Sequence, residues 1–208
     1  MRTKKTFLLM LFLGLGFAAR GQINIYLGGS LNGQYNWIRG DEHTFEPGFG
    51  GGLSFVYWEY EFWFIKAGLN YSYKSAARLA YPDMFETLIE SPEDKVIIDF
   101  TEQTLSLPVT VYLRPWEKGN NALLVAGTVE MMSVLKLNQQ SEEFGEINLN
   151  ASEAKTWTKT NLGFGVGYQR KLQKHSYLNL VPSFNLDVRG YRAYTGFMLS
   201  VEYILGVY

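Results

Sequence analysis

The sequence of 208 residues contains no cysteine and only two histidines, and beyond its first 21 residues it has no long unbroken apolar run. The absence of cysteine excludes a disulfide framework, a thiol nucleophile and a thiolate metal site. A transmembrane helix needs roughly 20 consecutive apolar residues. Any membrane span in the remainder of the chain must therefore be built from β-strands.

The opening stretch "MRTKKTFLLMLFLGLGFAARGQ" has the features of a secretory signal peptide. Arg2, Lys4 and Lys5 form a basic start, and an apolar run of eleven residues follows at 7–17. Ala19-Arg20-Gly21 places small residues at the two positions that a signal peptidase reads. The apolar run is too short for a membrane anchor. We predict that residues 1–21 are a cleaved signal peptide and that residues 22–208 form the mature domain.

The charge of the predicted mature domain is acidic. The whole chain has a formal charge of -1, and loss of the four basic residues in the first 21 leaves -5. Proteins that bind nucleic acid usually carry a basic patch or stripe. We therefore expect no nucleic-acid partner, and the length of the mature chain suits a single domain.

Eight segments of the mature chain alternate apolar and polar residues with a period of two, which is the pattern of β-strands. In "TLSLPVTVYLRP" (104–115), leucines and valines occupy one face while Thr104, Ser106 and Thr110 occupy the other. Pro108 lacks a backbone N–H, so it predicts a bulge or a missing ladder bond on the polar face. The predicted strands are 23–37, 49–58, 62–73, 103–113, 121–137, 161–168, 177–188 and 194–208.

The polar faces of these strands are poor in charge and rich in glycine, serine, asparagine and threonine. A soluble surface would carry roughly 25–35% charged residues, whereas the apolar faces here carry none. This composition favours apolar faces against lipid and polar faces in a crowded lumen. We expect the five charged residues of the polar faces to pair with one another or hold water inside the lumen; they are Lys66, Glu130, Lys136, Asp187 and Glu202.

All five tryptophans lie at or just beyond the ends of predicted strands. Tryptophan concentrates at membrane interfaces because its ring is apolar and its N–H is polar. The alternative is that these side chains cap an ordinary sheet core. The pattern favours interfacial girdles formed by Trp37, Trp58, Trp63, Trp116 and Trp157.

The connections between predicted strands fall into two sets. The connections 59–61, 114–120 and 169–176 are short and lie on the side of the termini, whereas 38–47, 74–102 and 138–160 are long and lie opposite. In outer-membrane barrels the short turns are periplasmic and the long loops extracellular. The sequence therefore predicts an all-β fold, an eight-stranded antiparallel up-and-down transmembrane β-barrel surrounded by outer-membrane lipid.

Four features together resemble the PorT-like family of Gram-negative outer-membrane β-barrel proteins. They are a signal peptide that ends before a glutamine, the length of the mature chain, glycine-rich alternating strands and a mid-chain strand of the form "LSLPVTVYLRP". The resemblance covers the mature chain. It implies an outer-membrane location, insertion by the barrel assembly machinery, and a non-enzymatic structural, secretion-accessory, transport-accessory or surface-interaction role.

A lipid-modifying barrel enzyme is the alternative function. Such an enzyme needs a nucleophile and a base within hydrogen-bond reach, but the predicted topology places His43 in an outer loop and His175 in a periplasmic turn. The cluster Asp41, Glu42 and His43, extended by Glu46 for a metal, is more simply a solvated loop. We therefore assign no catalytic residue, no metal site and no cofactor.

The segment "YPDMFETLIESPEDK" (81–95) is the least strand-like part of the chain. Pro82 suits the first turn of a short helix, and Ser91-Pro92 would end it. One apolar side of that helix would consist of Met84, Phe85, Leu88 and Ile89. The segment is either a lid over the barrel mouth or an extracellular docking element for a protein partner.

Overall fold

The computed structural model describes residues 25–38, 46–80, 96–141, 145–146, 158–189 and 194–206. None of these residues belongs to a helix that is long and apolar enough to cross a membrane. The strands are β1 (Ile25–Ile38), β2 (Glu46–Tyr60), β3 (Trp63–Ala80), β4 (Val96–Lys118), β5 (Asn121–Ser141), β6 (Gly145–Glu146), β7 (Thr158–Gln173), β8 (Ser176–Arg189) and β9 (Tyr194–Gly206).

The eight long strands form one closed antiparallel sheet. Neighbours along the chain pair with each other, β5 pairs with β7, and β9 returns to pair with β1. The two-residue strand β6 pairs only with the end of β5. Closure leaves no free sheet edge around the wall, which is what a sheet needs in lipid. The predicted eight-stranded up-and-down transmembrane barrel is therefore confirmed.

The strands from β2 to β8, apart from the short β6, are longer than the alternation predicts, and the turns between them are tighter. The β2–β3, β4–β5 and β7–β8 connections are two-residue turns, and Gly119 in the second has a φ of 62°, a conformation that glycine adopts without steric cost. On the opposite side, β3, β4 and β5 extend into segments predicted as loops. They do so because ladder pairing between these strands continues up to Ala80, Val96 and Ser141, beyond the segments predicted from alternation.

The outer face of the barrel is apolar. Leu31, Leu53 and Phe164 are each at least two-thirds exposed, with many other apolar side chains around the wall. Charged residues on this face, such as Asp99 and Arg170, lie in the end segments of their strands. A continuous apolar surface of this extent marks a membrane-facing wall.

Pro108 interrupts the ladder without shifting its register. The β3–β4 pairs run from Ala67↔Val109 directly to Asn70↔Ser106, and the register on both sides is the same. The ring is buried and lies on the inner wall beside Gly68. The sequence predicted either a bulge or a missing ladder bond at Pro108. The structure has the missing ladder bond and no bulge there. The register shifts of β4 lie nearer its two ends.

Glycines on the inner wall of β2 and β7 allow neighbouring strands to pack closely. A Cβ atom added at Gly52 would clash with the Leu69 carbonyl oxygen and the Asn70 side chain, whereas one at Gly33, on the outer face, would meet nothing within 4 Å. The runs "GFGGG" and "GFGVG" are thus strand segments of a tight wall.

We predict that Gly52→Ala lowers the free energy of unfolding by about 1–3 kcal/mol, because the wall cannot admit the methyl group without displacing β3. The matched control Gly33→Ala should change it by less than about 0.5 kcal/mol. Urea unfolding of the detergent-folded protein measures both. Equal losses for the two variants would contradict the packing described for the inner wall.

Candidate functional site: the barrel lumen

The turn end of the lumen is filled by a hydrophobic core. Trp58 stacks on Phe64 and Phe64 on Tyr112, each at 4.6 Å between ring centroids. Tyr26 and Tyr177 pack against this core from the barrel end. An eight-stranded barrel is just wide enough for its side chains to meet across the lumen. The buried residues of the core are Val56, Trp58, Phe64, Tyr112, Leu124, Ala126, Val181 and Ile204.

Arg114 covers this core at the barrel end. Its guanidinium carbon lies 4.8 Å from the centre of the Trp58 ring, a cation–π contact. The same group donates a 2.8 Å hydrogen bond to the Glu61 carbonyl oxygen and pairs with Glu117 at 3.0 Å. Arg114 therefore ties β4 to the β2–β3 turn and closes the turn end over the aromatic stack.

Glu202 joins four strands above the core. One of its oxygens accepts a 2.7 Å hydrogen bond from the Tyr112 hydroxyl and pairs with Lys66. The other accepts a 3.2 Å bond from Asn179 Nδ2. These partners come from β4, β3 and β8, and β4 stands four strands away from β9 around the barrel. The carboxylate thus links opposite walls across the lumen.

A second ionic cluster lies toward the loop end. Lys159 Nζ is 2.5 Å from Glu102 Oε2, and both side chains are almost completely buried. Asp187 and Lys74 lie within electrostatic range of Lys159. Lys74 Nζ also contacts the Met132 sulfur at 3.4 Å. Because a buried charge is costly when unpaired, the cluster combines both signs.

A polar cavity of about 60 Å³ separates the two ionic groups. Glu130 lines it and accepts hydrogen bonds from Ser106 at 2.5 Å and Asn161 at 3.4 Å. Such a volume has room for about four water molecules. The other lining side chains are mostly hydroxyls and amides, including Ser30, Asn32, Asn70, Ser72, Thr110, Thr128 and Ser200. Chemically, the arrangement is a polar pocket that has room for water and offers hydrogen-bond donors and acceptors.

The structure places four of the five predicted lumen charges on the inner wall: Lys66, Glu130, Asp187 and Glu202. It corrects the prediction for Lys136, which is exposed and pairs with Gln103 on the outer face. The reason is a register shift opposite Gln103 and Thr104, where Leu135 is the additional residue in β5. The shift reverses which residues of β5 face inward beyond that point.

The tryptophans divide between the two faces. Trp37, Trp63 and Trp116 lie near strand ends on the outer face, where Trp37 packs against two outer phenylalanines. Trp58 departs from the predicted girdle, because it shares the phase of Val56 and is buried in the core inside the barrel. Trp157 lies outside the described residues.

Among the described residues, three buried charges were missed by the sequence prediction: Lys74, Glu102 and Lys159. Each lies two residues outside the end of a predicted strand's inward-facing series. The prediction therefore assigned each of them to a loop. Continuing the inward phase from Ser72, Thr104 and Asn161 would have found all three.

The remaining predicted residues lie partly outside the described part of the chain. The segment with Met84, Phe85, Leu88 and Ile89 and the cluster of Asp41, Glu42 and His43 lie outside the described residues. Glu46 begins β2 and His175 lies in the β7–β8 turn. Within the described part of the chain, no three His, Asp or Glu side chains come close enough to hold a metal ion.

Comparisons with known proteins identify the fold. No protein-family model matches the chain, and no curated protein matches it. Among solved structures, Neisserial surface protein A superposes with a TM-score of 0.53 at 11% identity, covering 88% of this chain and 97% of that one. Ail, the attachment invasion locus protein of Yersinia pestis, superposes with a TM-score of 0.47 at 14% identity, covering 89% of this chain and 100% of that one. The chain has the fold of the first of these.

We predict that Glu202→Leu alone lowers the free energy of unfolding by about 3 kcal/mol, because it leaves the Lys66 ammonium buried without its carboxylate. The double variant Lys66→Met/Glu202→Leu should recover at least half of that loss. Denaturant unfolding in detergent measures the free energy of unfolding of the wild type, the two single variants Lys66→Met and Glu202→Leu, and the double variant.

The Arg114–Glu117 pair supplies a control, because the Glu117 side chain is half exposed. Glu117→Gln should cost less than about 1 kcal/mol. Additive losses for Lys66→Met and Glu202→Leu would contradict the coupling of these two groups across the lumen.

Proposed function

We propose that this chain is a non-enzymatic integral outer-membrane β-barrel protein of the PorT-like type. In this proposal the barrel is a sealed scaffold that presents its loop end to a protein partner, in a structural, secretion-accessory, transport-accessory or surface-interaction role. The apolar outer wall supports the membrane location. The family assignment draws on the "LSLPVTVYLRP" strand and the glycine-rich alternation.

The filled turn end is the observation that carries the scaffold role. A diffusion pore needs a continuous aqueous path, and here the stacked aromatic rings and Arg114 occupy the lumen below the Glu202 network. The polar cavity above them ends at this core. A barrel of this kind offers a rigid wall and a loop end, so function is expected at the loops.

Orientation follows the general rule for outer-membrane barrels, with the three two-residue turns in the periplasm and the longer connections outside the cell. In this arrangement the apolar wall contacts outer-membrane lipid, and the barrel assembly machinery inserts the chain. The segment 81–91 is the proposed partner-docking element. The non-enzymatic assignment is supported by the position of His175 in the β7–β8 turn, because the sequence predicts His43 in an outer loop, on the other side of the membrane.

In planar bilayers we expect the wild-type protein to give no large stable conductance steps, because the aromatic core seals the turn end. Trp58→Ala/Phe64→Ala should produce small steps by opening the core, whereas the outward pair Phe55→Ala/Phe164→Ala should not. Single-channel recording checks all three proteins. Large stable steps from the wild type would contradict the sealed scaffold.

A further inference from the structure

Four basic residues gather at two adjacent turns of the barrel. Lys118 ends β4 beside the β4–β5 turn, and Arg170, Lys171 and Lys174 surround the β7–β8 turn. Arg170 pairs with Asn121 in the ladder. The backbone N–H of Lys171 donates a 2.7 Å hydrogen bond to the Asn120 carbonyl oxygen, so the two turns are held together. We call these four residues the basic rim.

The basic rim is not neutralised within the described part of the chain. None of its four side chains forms an ion pair with a described residue, and the nearby Glu117 is already paired with Arg114. Lys118, Arg170 and Lys174 are exposed to solvent. Like charges held together raise the local positive potential and attract an external anion.

The basic rim lies where the apolar wall ends. Arg170 is on the outer face, two residues from Leu172, which is 48% exposed. On the neighbouring strands, exposed Leu123 and Trp116 continue the same apolar surface. A tryptophan ring beside basic side chains suits the depth of lipid headgroups. An anion at this place therefore has water on one side and acyl chains on the other.

We propose that the basic rim binds the phosphate of an anionic phospholipid in the membrane leaflet at the turn end. Arg170 supplies two parallel donors to the phosphate oxygens, the exposed Lys118 and Lys174 add charge, and Leu172, Leu123 and Trp116 contact the acyl chains. This inference rests on the membrane location given under the proposed function. The phosphate chemistry alone would also fit a soluble phosphate ester, but the apolar border favours the lipid.

Native mass spectrometry of the detergent-folded full chain, titrated with dioleoyl phosphatidylglycerol, tests the proposal. We expect saturable binding that phosphatidylcholine does not reproduce. Arg170→Gln should weaken it about fivefold, the effect of one basic residue at an anionic lipid surface. The matched control Lys136→Gln removes one exposed positive charge from the outer face at the opposite end, and it should leave the binding unchanged. Circular dichroism verifies that each variant is folded.

Equal affinity of folded wild type and Arg170→Gln for phosphatidylglycerol would overturn the proposal, as would equal binding of phosphatidylcholine. Binding of glycerol 3-phosphate as strong as that of the lipid would assign the rim to a soluble anion and overturn the lipid proposal as well. In each of these cases the sealed scaffold stands. Failure of the wild type to insert into bilayers would instead overturn the proposed function together with this inference.

Discussion

Closure of the sheet between β1 and β9 is the constraint on which the rest of this structure depends. Backbone N–H and C=O groups have no water to bond in the hydrocarbon of a membrane, so nearly all of them along the wall must pair with a neighbouring strand. Thirteen ladder pairs from Tyr26↔Gly206 to Ile38↔Tyr194 make this closure. Once the ring is closed, alternate side chains must face lipid or lumen, and the small circumference brings inward side chains within bonding distance of one another.

The lumen changes in character from one end to the other. Aromatic and aliphatic side chains fill the turn end, Glu202 gathers polar partners in the middle, and the Lys159–Glu102 pair lies toward the loop end. The inner residues link strands that are not neighbours in the sheet, as Tyr112 and Glu202 do. Such links brace the barrel from inside.

Much of the fold could be predicted from the sequence, because period-two alternation and the contrast between the faces depend only on local residue order. The eight strands and the inward position of Glu202 follow from that pattern. The prediction for Lys136 failed because it depended on how the strands pair. Lys136 faces outward because a register shift in the β4–β5 ladder reverses the phase of β5, and a single sequence does not show such a shift. Trp58 was grouped by its place at a strand end, although its phase with Val56 indicated the lumen.

The central claim is that the chain forms a closed β-barrel whose outer wall is stable in a lipid-like environment. Gel mobility of the detergent-folded protein, with and without boiling, tests it most directly, because a closed barrel remains folded in the detergent until heat opens it. We predict that the unboiled protein migrates as a compact species, distinct from the boiled chain at its full apparent mass. Identical migration of the two samples, from a preparation shown to be folded by circular dichroism, would contradict the closed barrel.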